Sequence, residues 1–392
     1  MKKIRRFLDK SRRLPIAWLL LSRHPFQLFT STLGVTIAAV LVLMQLSIQD
    51  SLYTSAVVVF TKLDAQAILI HKGTSSLLTL TSFSESSLSS VYSSQDVSEV
   101  RPFNVQTIPW RLAGTPVSRV TTVFGVDPAS HVFVDPEINA QLPKLAIDGH
   151  ILFDETAPDK YGSPRRSLEQ GKSFFAFSGD SRLHVVGLFK LGPSFGGEST
   201  LIMNLRTLNQ IMPAQSGRLS FGLVDFKPGV DIAKGIANVN ASLPADVQLV
   251  SLEGFIQLEK QYWQNKPIGA FFMFGAFMGL WIAVVMIYQM LATNVSTNIS
   301  FYALLISIGY KRYQLEQIVF AEGLILSALS LPFALLISQG LCMIVSSVSL
   351  IAVVLPTGAI FMTFFLIVLG CSASSLFAML RLREANPSDL FG

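Results

Sequence analysis

A phosphate-binding loop needs a glycine five residues ahead of its Gly-Lys-Ser/Thr, so that backbone N–H groups can wrap the phosphates. Gly171-Lys172-Ser173 supplies the tripeptide, but Arg166 stands where that glycine belongs, and the segment reads as a turn. The histidines, His24, His71, His131, His150 and His184, show no paired metal-ligand spacing, and none shares an apolar run with a carboxylate. Each reads as a surface or hydrogen-bonded imidazole. No Gly-x-Ser-x-Gly elbow is present, and no aspartate pair sits inside the apolar runs as an intramembrane protease would need. The expectation is a chain that is not an enzyme and has no catalytic, cofactor or metal residues of its own.

What remains is mechanical. In "NISFYALLISIGYKRYQLEQIVFAEG", residues 298–323, a glycine, two cations and two glutamates lie between long apolar runs. "SFYALLISIGY" is predicted to form a short helix along the inner membrane face, ended by Gly309 in a left-handed cap, with Lys311 and Arg312 at headgroup level. Glu316 follows at a spacing that permits a helical ion pair with those cations. Glu322 is a carboxylate in greasy surroundings near a span end, expected to be interfacial beside a cation such as Lys311.

The elements that must hold this stretch are membrane spans. Of 392 residues, 51% are hydrophobic and 14% charged, and the mean hydropathy is +0.50. Such values point to several spans plus a folded domain. Residues 1–24 carry eight Lys/Arg and one Asp, whereas Asp50 to Lys266 carries 18 Lys/Arg and 20 Asp/Glu. The net charge of +5 therefore comes from the amino-terminal tail, an orientation or lipid-headgroup signal that says nothing of nucleic acid.

One crossing needs about 20 apolar residues. Residues 25–49 hold no charge and are expected to stay as an anchor, the run being too long for a signal peptide. Residues 267–310 are also free of charge, but only the first part is greasy. The charge-free run from Gly323 to Leu380 would span about 87 Å as one helix, so it must break into two, near Pro356 and Gly358. The reading is a basic segment at 1–24, spans at 25–50, 267–292, 316–347 and 352–380, a loop at 293–315 and a tail at 381–392. The cations of the tail, of Lys311 and Arg312, and of Arg381 and Arg383 then place both termini in the cytoplasm and residues 51–266 outside. Cys342 and Cys371 fall in spans, so the outer domain has no disulfide framework. Within spans, Gly269, Gly275 and Gly279 form a small-residue strip, the candidate for packing between two copies.

The outer domain reads as mixed α/β. β-rich runs, "AQAILIH", "VSRVTTVFGV", "RLHVVGLFKL", "STLIMNL" and "LSFGLVDF", alternate with the helical windows "TLNQIM", "DIAKGIANVNASL" and "LEGFIQLEKQYWQ". Two subdomains are expected, one formed by the flanks and one inserted. Residues 75–94 hold ten serines and read as a solvated helix or loop.

Three groups of segments, "LEKQYWQNKPIGAFFMFGAFMGLWIAVVMIYQML", "YALLISIGYKRYQLEQIVFAEGLILS" and "REANPSDLF", together with "VLMQLSIQDSLYTSAV", "VFGVDP", "LFDETAPDKYGS" and "VVGLFKLGPSFGGESTLIMN", resemble the DevC-type permeases within the MacB/FtsX family of ABC transporters. The resemblance implies a four-span membrane protein with a large mixed α/β periplasmic domain between spans one and two, in a bacterial inner membrane. It implies a homodimer, a separate DevA-like ATPase that binds ATP and Mg, a DevB-like periplasmic adaptor, and a TolC-like outer-membrane channel. The coupling element that meets the ATPase would comprise Phe301, Tyr302, Leu305, Ile308, Gly309, Tyr310, Lys311 and Arg312. The resembling permeases usually carry an acidic residue just before Tyr302 and a basic one where Ile306 stands; Phe301 and Ile306 imply a more apolar contact or a particular ATPase. The function implied is mechanotransmission by a tripartite exporter of a lipid, glycolipid or other amphiphile. The alternative is an FtsX-like scaffold that relays ATPase movement without export.

Overall fold

The computed structural model describes residues 13–192, 197–348 and 353–384. Most of the basic tail and the side chains of Arg312, Cys371, Arg381 and Arg383 lie outside the described residues. Contacts divide the chain into a helical unit, Met1–Ser51, Pro267–Ser349 and Val353–Gly392, and a sheet unit, Leu52–Lys266 with Leu350–Ala352.

In chain order the helices are α1 Arg13–Ser22, α2 Pro25–Thr61, α3 Ser87–Tyr92, α4 Pro136–Asn139, α5 Pro164–Glu169, α6 Leu205–Ile211, α7 Ile232–Ser242, α8 Leu252–Gln264, α9 Pro267–Thr297, α10 Ile299–Ser307, α11 Arg312–Val348 and α12 Thr357–Glu384. The strands are β1 Ala67–His71, β2 Phe83–Ser84, β3 Val97–Leu112, β4 Ser118–Val126, β5 His150–Asp154, β6 Phe174–Ser178, β7 Ser181–Phe189, β8 Thr200–Asn204, β9 Arg218–Leu219, β10 Phe221–Phe226 and β11 Val247–Ser251.

The sheet unit holds a two-stranded sheet of β2 and β9 and a nine-stranded one in the order β11-β1-β10-β3-β4-β8-β5-β7-β6. The 16-residue β3 joins its two halves. Its first part pairs with β10, its middle with β4, and Arg111 and Leu112 pair with β6, which closes β3, β4, β8, β5, β7 and β6 into a ring. Ile108, Trp110, Phe153, Leu183 and Met203 form one core among the strands of the ring, and β1, β10 and β11 pack Leu69, Val224 and Leu249 with Leu88 of α3 and Val239 of α7. The inserted middle therefore shares its sheet with the flanks. The serine-rich segment is in part ordered: Ser76 caps a short turn at Leu77–Thr79, and α3 buries Leu88 and Val91.

Phe60 of α2 meets Phe255 of α8 and Phe221 of β10 edge to face, with centroids 4.8 Å and 5.5 Å away. All three rings are shielded from solvent. Such aromatic pairs add about 0.5–1.5 kcal/mol each beyond the area they bury. The two chain segments that enter and leave the sheet unit are thus pinned to one core.

In the helical unit, α2, Gly269–Thr293 of α9 and Tyr313–Val348 of α11 are long and apolar enough to cross a membrane. The apolar part of α12 within the described residues, Thr357–Gly370, is shorter. At 37 residues, α2 is about 55 Å long, beyond the ~30 Å hydrocarbon core of a bilayer. The apolar stretch from Gly323 breaks after Val348, where Ser346 Oγ accepts from the Val353 amide at 2.8 Å, and helix resumes at Thr357 after Pro356.

Two of the strip glycines have neighbours within the chain. A methyl group on Gly275 would sit 2.5 Å from Gln45 Nε2, and one on Gly279 would sit 3.0 Å from Val42 Cγ2. Gln45 Nε2 also donates to the Phe272 carbonyl at 3.1 Å. Gly275 and Gly279 let α9 approach α2, and Gly269 is buried.

Candidate coupling site

Between α9 and α11 the chain makes one short helix and a four-residue connection. The backbone carbonyl of Asn298 takes the first turn of α10, accepting from the amides of Phe301 at 2.9 Å and Tyr302 at 3.1 Å. At the other end Gly309 has φ +101°, a conformation that strains residues with a side chain. Its amide donates to the Ile306 carbonyl at 2.9 Å, and the Tyr310 amide donates to the Leu305 carbonyl at 3.0 Å. These are the two bonds of a Schellman cap, and Leu305 and Tyr310, the pair expected to touch across it, both belong to the helical core. The next helix starts at once: the Lys311 amide donates to Gln314 Oε1 at 2.8 Å, half of a capping box.

Nearly every residue of α10 is apolar, yet only one face is covered. Tyr302 and Leu305 are 2% and 8% exposed and pack with Leu21 of α1, Leu291 of α9 and Leu315 of α11. Phe301 and Tyr310 are half-buried against the same core. Leu304 is 55% exposed and Ile308 67%. Gly309, Lys311 and Ile306 are also exposed. Of the sequence-predicted contact residues, Tyr302 and Leu305 are therefore packed inside the helical unit, while Ile308, Gly309 and Lys311 are accessible. Leu304, which the sequence reading did not single out, is accessible, as is Ile306.

Glu322, on α11, is fully buried within the protein, and its Oε1 accepts a hydrogen bond from the Tyr302 phenol at 3.2 Å. Lys311, the cation expected beside it, is exposed. Burial first, then the Glu322 charge and hydrogen bond, hold the Tyr302 phenol well above the ordinary tyrosine range. The structure thus joins two residues that the sequence placed in separate roles. Between α11 and α12, a cavity of about 640 Å³ is lined mainly by apolar residues such as Leu335, Met343, Leu355 and Ile360.

In the sheet unit, parallel pairing of β5 and β7 sets His150 opposite His184, with ring centroids 5.2 Å apart, a pairing that sequence spacing had not indicated. Burial, then His150 and Arg182, lower the pKa of His184. Among the described residues no group of three or more His, Cys, Asp or Glu side chains is placed to hold a metal.

Residues 273–387 match the family described as FtsX-like permease C-terminal. Over that segment, less than a third of its length, the chain is similar to an FtsX-like permease domain. That domain includes most of α9 and all of α10, so the short helix and its capped loop lie inside the matched segment. No curated protein matches the chain. Among solved structures, the periplasmic region of MacB from Actinobacillus actinomycetemcomitans is similar at 12% identity and TM-score 0.35, covering 51% of this chain and 94% of that one. The extracellular domain of the ABC-type transporter YknZ from Gram-positive bacteria is similar at 13% identity and TM-score 0.32, covering 48% of this chain and 100% of that one. Scores of this size carry no argument about function.

Proposed function

We propose that the chain is the permease subunit of an ATP-driven exporter of the DevC type, in which α10 and its loop are the element that an ATPase subunit grips. The observation that carries this is the division of α10 into an anchored face, Tyr302 and Leu305, and a free apolar face, Leu304 and Ile308, beside exposed Lys311. A free apolar face on a rigidly capped helix is the form of a helix-in-groove contact.

On this reading there are four spans with both termini cytoplasmic in a bacterial inner membrane, and the sheet unit is periplasmic. The working unit is a homodimer. ATP and Mg bind the partner ATPase, not this chain, and closure of that ATPase moves the α10 loops. The spans carry the movement to the sheet unit, which acts on a periplasmic adaptor joined to a TolC-like channel. The apolar cavity between α11 and α12 agrees with a lipid, glycolipid or other amphiphile as cargo.

The test is purification of the chain, tagged at its carboxyl terminus, in mild detergent with mass spectrometry of what accompanies it. Recovery of an ATPase and an adaptor, with hydrolysis above that of the ATPase alone, is expected. If crosslinked preparations also lack an ATPase, the proposal is wrong. Loss of cargo export in a deletion strain separates an exporter from a scaffold, which predicts none.

A further inference from the structure

Tyr302 and Glu322 are 20 residues apart and out of solvent, at 2% and 0% exposure, with Tyr302 packed in the hydrophobic core of the helical unit. A buried carboxylate is strongly unfavourable unless hydrogen bonds hold it, and apolar residues of similar size usually pack at least as stably. Stability alone does not account for the pair. Its placement does suggest a purpose. The connection at Ile308–Lys311 is one attachment of α10 to α11. Glu322 lies about 15 Å further along α11, at 1.5 Å per residue from Arg312, and provides a second. Two attachments separated in this way turn a hinge into a bracket. Apolar packing of Leu305 alone is non-directional and tolerates sliding, whereas a hydrogen bond to a carboxylate fixes direction and distance.

We infer that the Tyr302–Glu322 hydrogen bond is the strut through which movement of α10 enters α11, both being positioning residues for coupling rather than contacts for the ATPase. The inference rests on the coupling function proposed above.

The test uses the full chain with its co-purified ATPase in lipid nanodiscs. Variants are Glu322→Gln, which keeps an acceptor for the phenol, and the double variant Tyr302→Phe/Glu322→Leu, which removes both polar groups and leaves no buried carboxylate without its donor. ATPase recovery and ATP hydrolysis are measured separately. The double variant is expected to insert and recover the ATPase as wild type does, but to lose about tenfold in its stimulation of hydrolysis, the equilibrium worth of one hydrogen bond to a charged group. Glu322→Gln is expected to keep most of the stimulation. Stimulation by the double variant at the wild-type level would reduce the pair to a structural role and overturn the strut, as would a Glu322→Gln variant that falls as far as the double one. Failure of the wild-type chain to recover any ATPase is a different result, which removes the coupling reading beneath.

Discussion

Replacing Gly309 with alanine isolates the backbone contribution of the loop. Nothing lies within 4 Å of a methyl group built there, so no neighbour is disturbed and the effect comes from φ +101° alone. Holding a residue with a Cβ in a left-handed conformation is unfavourable by about 1–2 kcal/mol. The alternative is to open the cap, giving up the Gly309–Ile306 and Tyr310–Leu305 bonds of 2.9 Å and 3.0 Å, a loss of about 2 kcal/mol at about 1 kcal/mol each. The two routes are comparable, so the cap should open more often by a factor of about 5–30. Hydrogen exchange followed by mass spectrometry over residues 299–311 would show this as a fall in protection of the same size. Valine should be worse because it is β-branched, and asparagine milder because it tolerates left-handed backbone. If alanine exchanges as wild type does, or asparagine is as harmful as valine, the cap does not hold the loop.

Replacing Leu304 and Ile308 together with aspartate should leave insertion and melting unchanged while abolishing ATPase recovery, because both side chains are exposed. Leu305→Ala should instead destabilise the helical unit by about 2–5 kcal/mol, seen as a lower melting temperature. Phe60→Ala should destabilise the sheet unit by about 3–5 kcal/mol, measured by denaturant titration of the full chain, since its ring touches Phe221 and Phe255. Glu259, buried and accepting from Leu77 N at 2.7 Å and Trp263 Nε1 at 2.9 Å, has its pKa raised above 4.5 mainly by burial. Its contribution to stability is full below pH 4.5 and is lost as pH rises from there through the raised folded-state value, so Glu259→Gln should remove that fall in melting temperature over the same interval.

The three long apolar helices are legible because hydropathy is a one-dimensional property, whereas pairings are not. The β-rich runs at β1, β4, β7, β8 and β10 stand out in sequence, but β3, the strand that holds both halves together, does not. Pro102 and Pro109 interrupt its pattern, and its burial does not alternate. The closure of β6 onto Arg111 and Leu112 is invisible for the same reason. Gly275 and Gly279 announce a close approach without saying to what; Gln45 answers from the far side of the sheet unit in sequence, its amide bonded to the Phe272 carbonyl 227 residues away. His150 and His184 meet only because β5 and β7 run parallel in that register.

The same limit explains why the buried and exposed faces of α10 are not legible residue by residue. A helix whose only polar groups are the hydroxyls of Ser300, Tyr302 and Ser307 has little amphipathic signal, so its inner face cannot be read from periodicity. Glu322 and Gly309 supply the missing information, one by claiming Tyr302 and the other by setting where the helix stops. Once the faces are known, the two departures from the resembling permeases separate. Phe301 packs half-buried on the core, so the change there belongs to the helical unit itself. Ile306 is exposed, but at two residues from Leu304 and from Ile308 it lies round the helix from the face those two share. On the proposed coupling, the apolar contact is made by Leu304 and Ile308, with Ile306 at its flank. The ATPase surface that fits is an apolar groove with acidic residues on the side nearest Lys311.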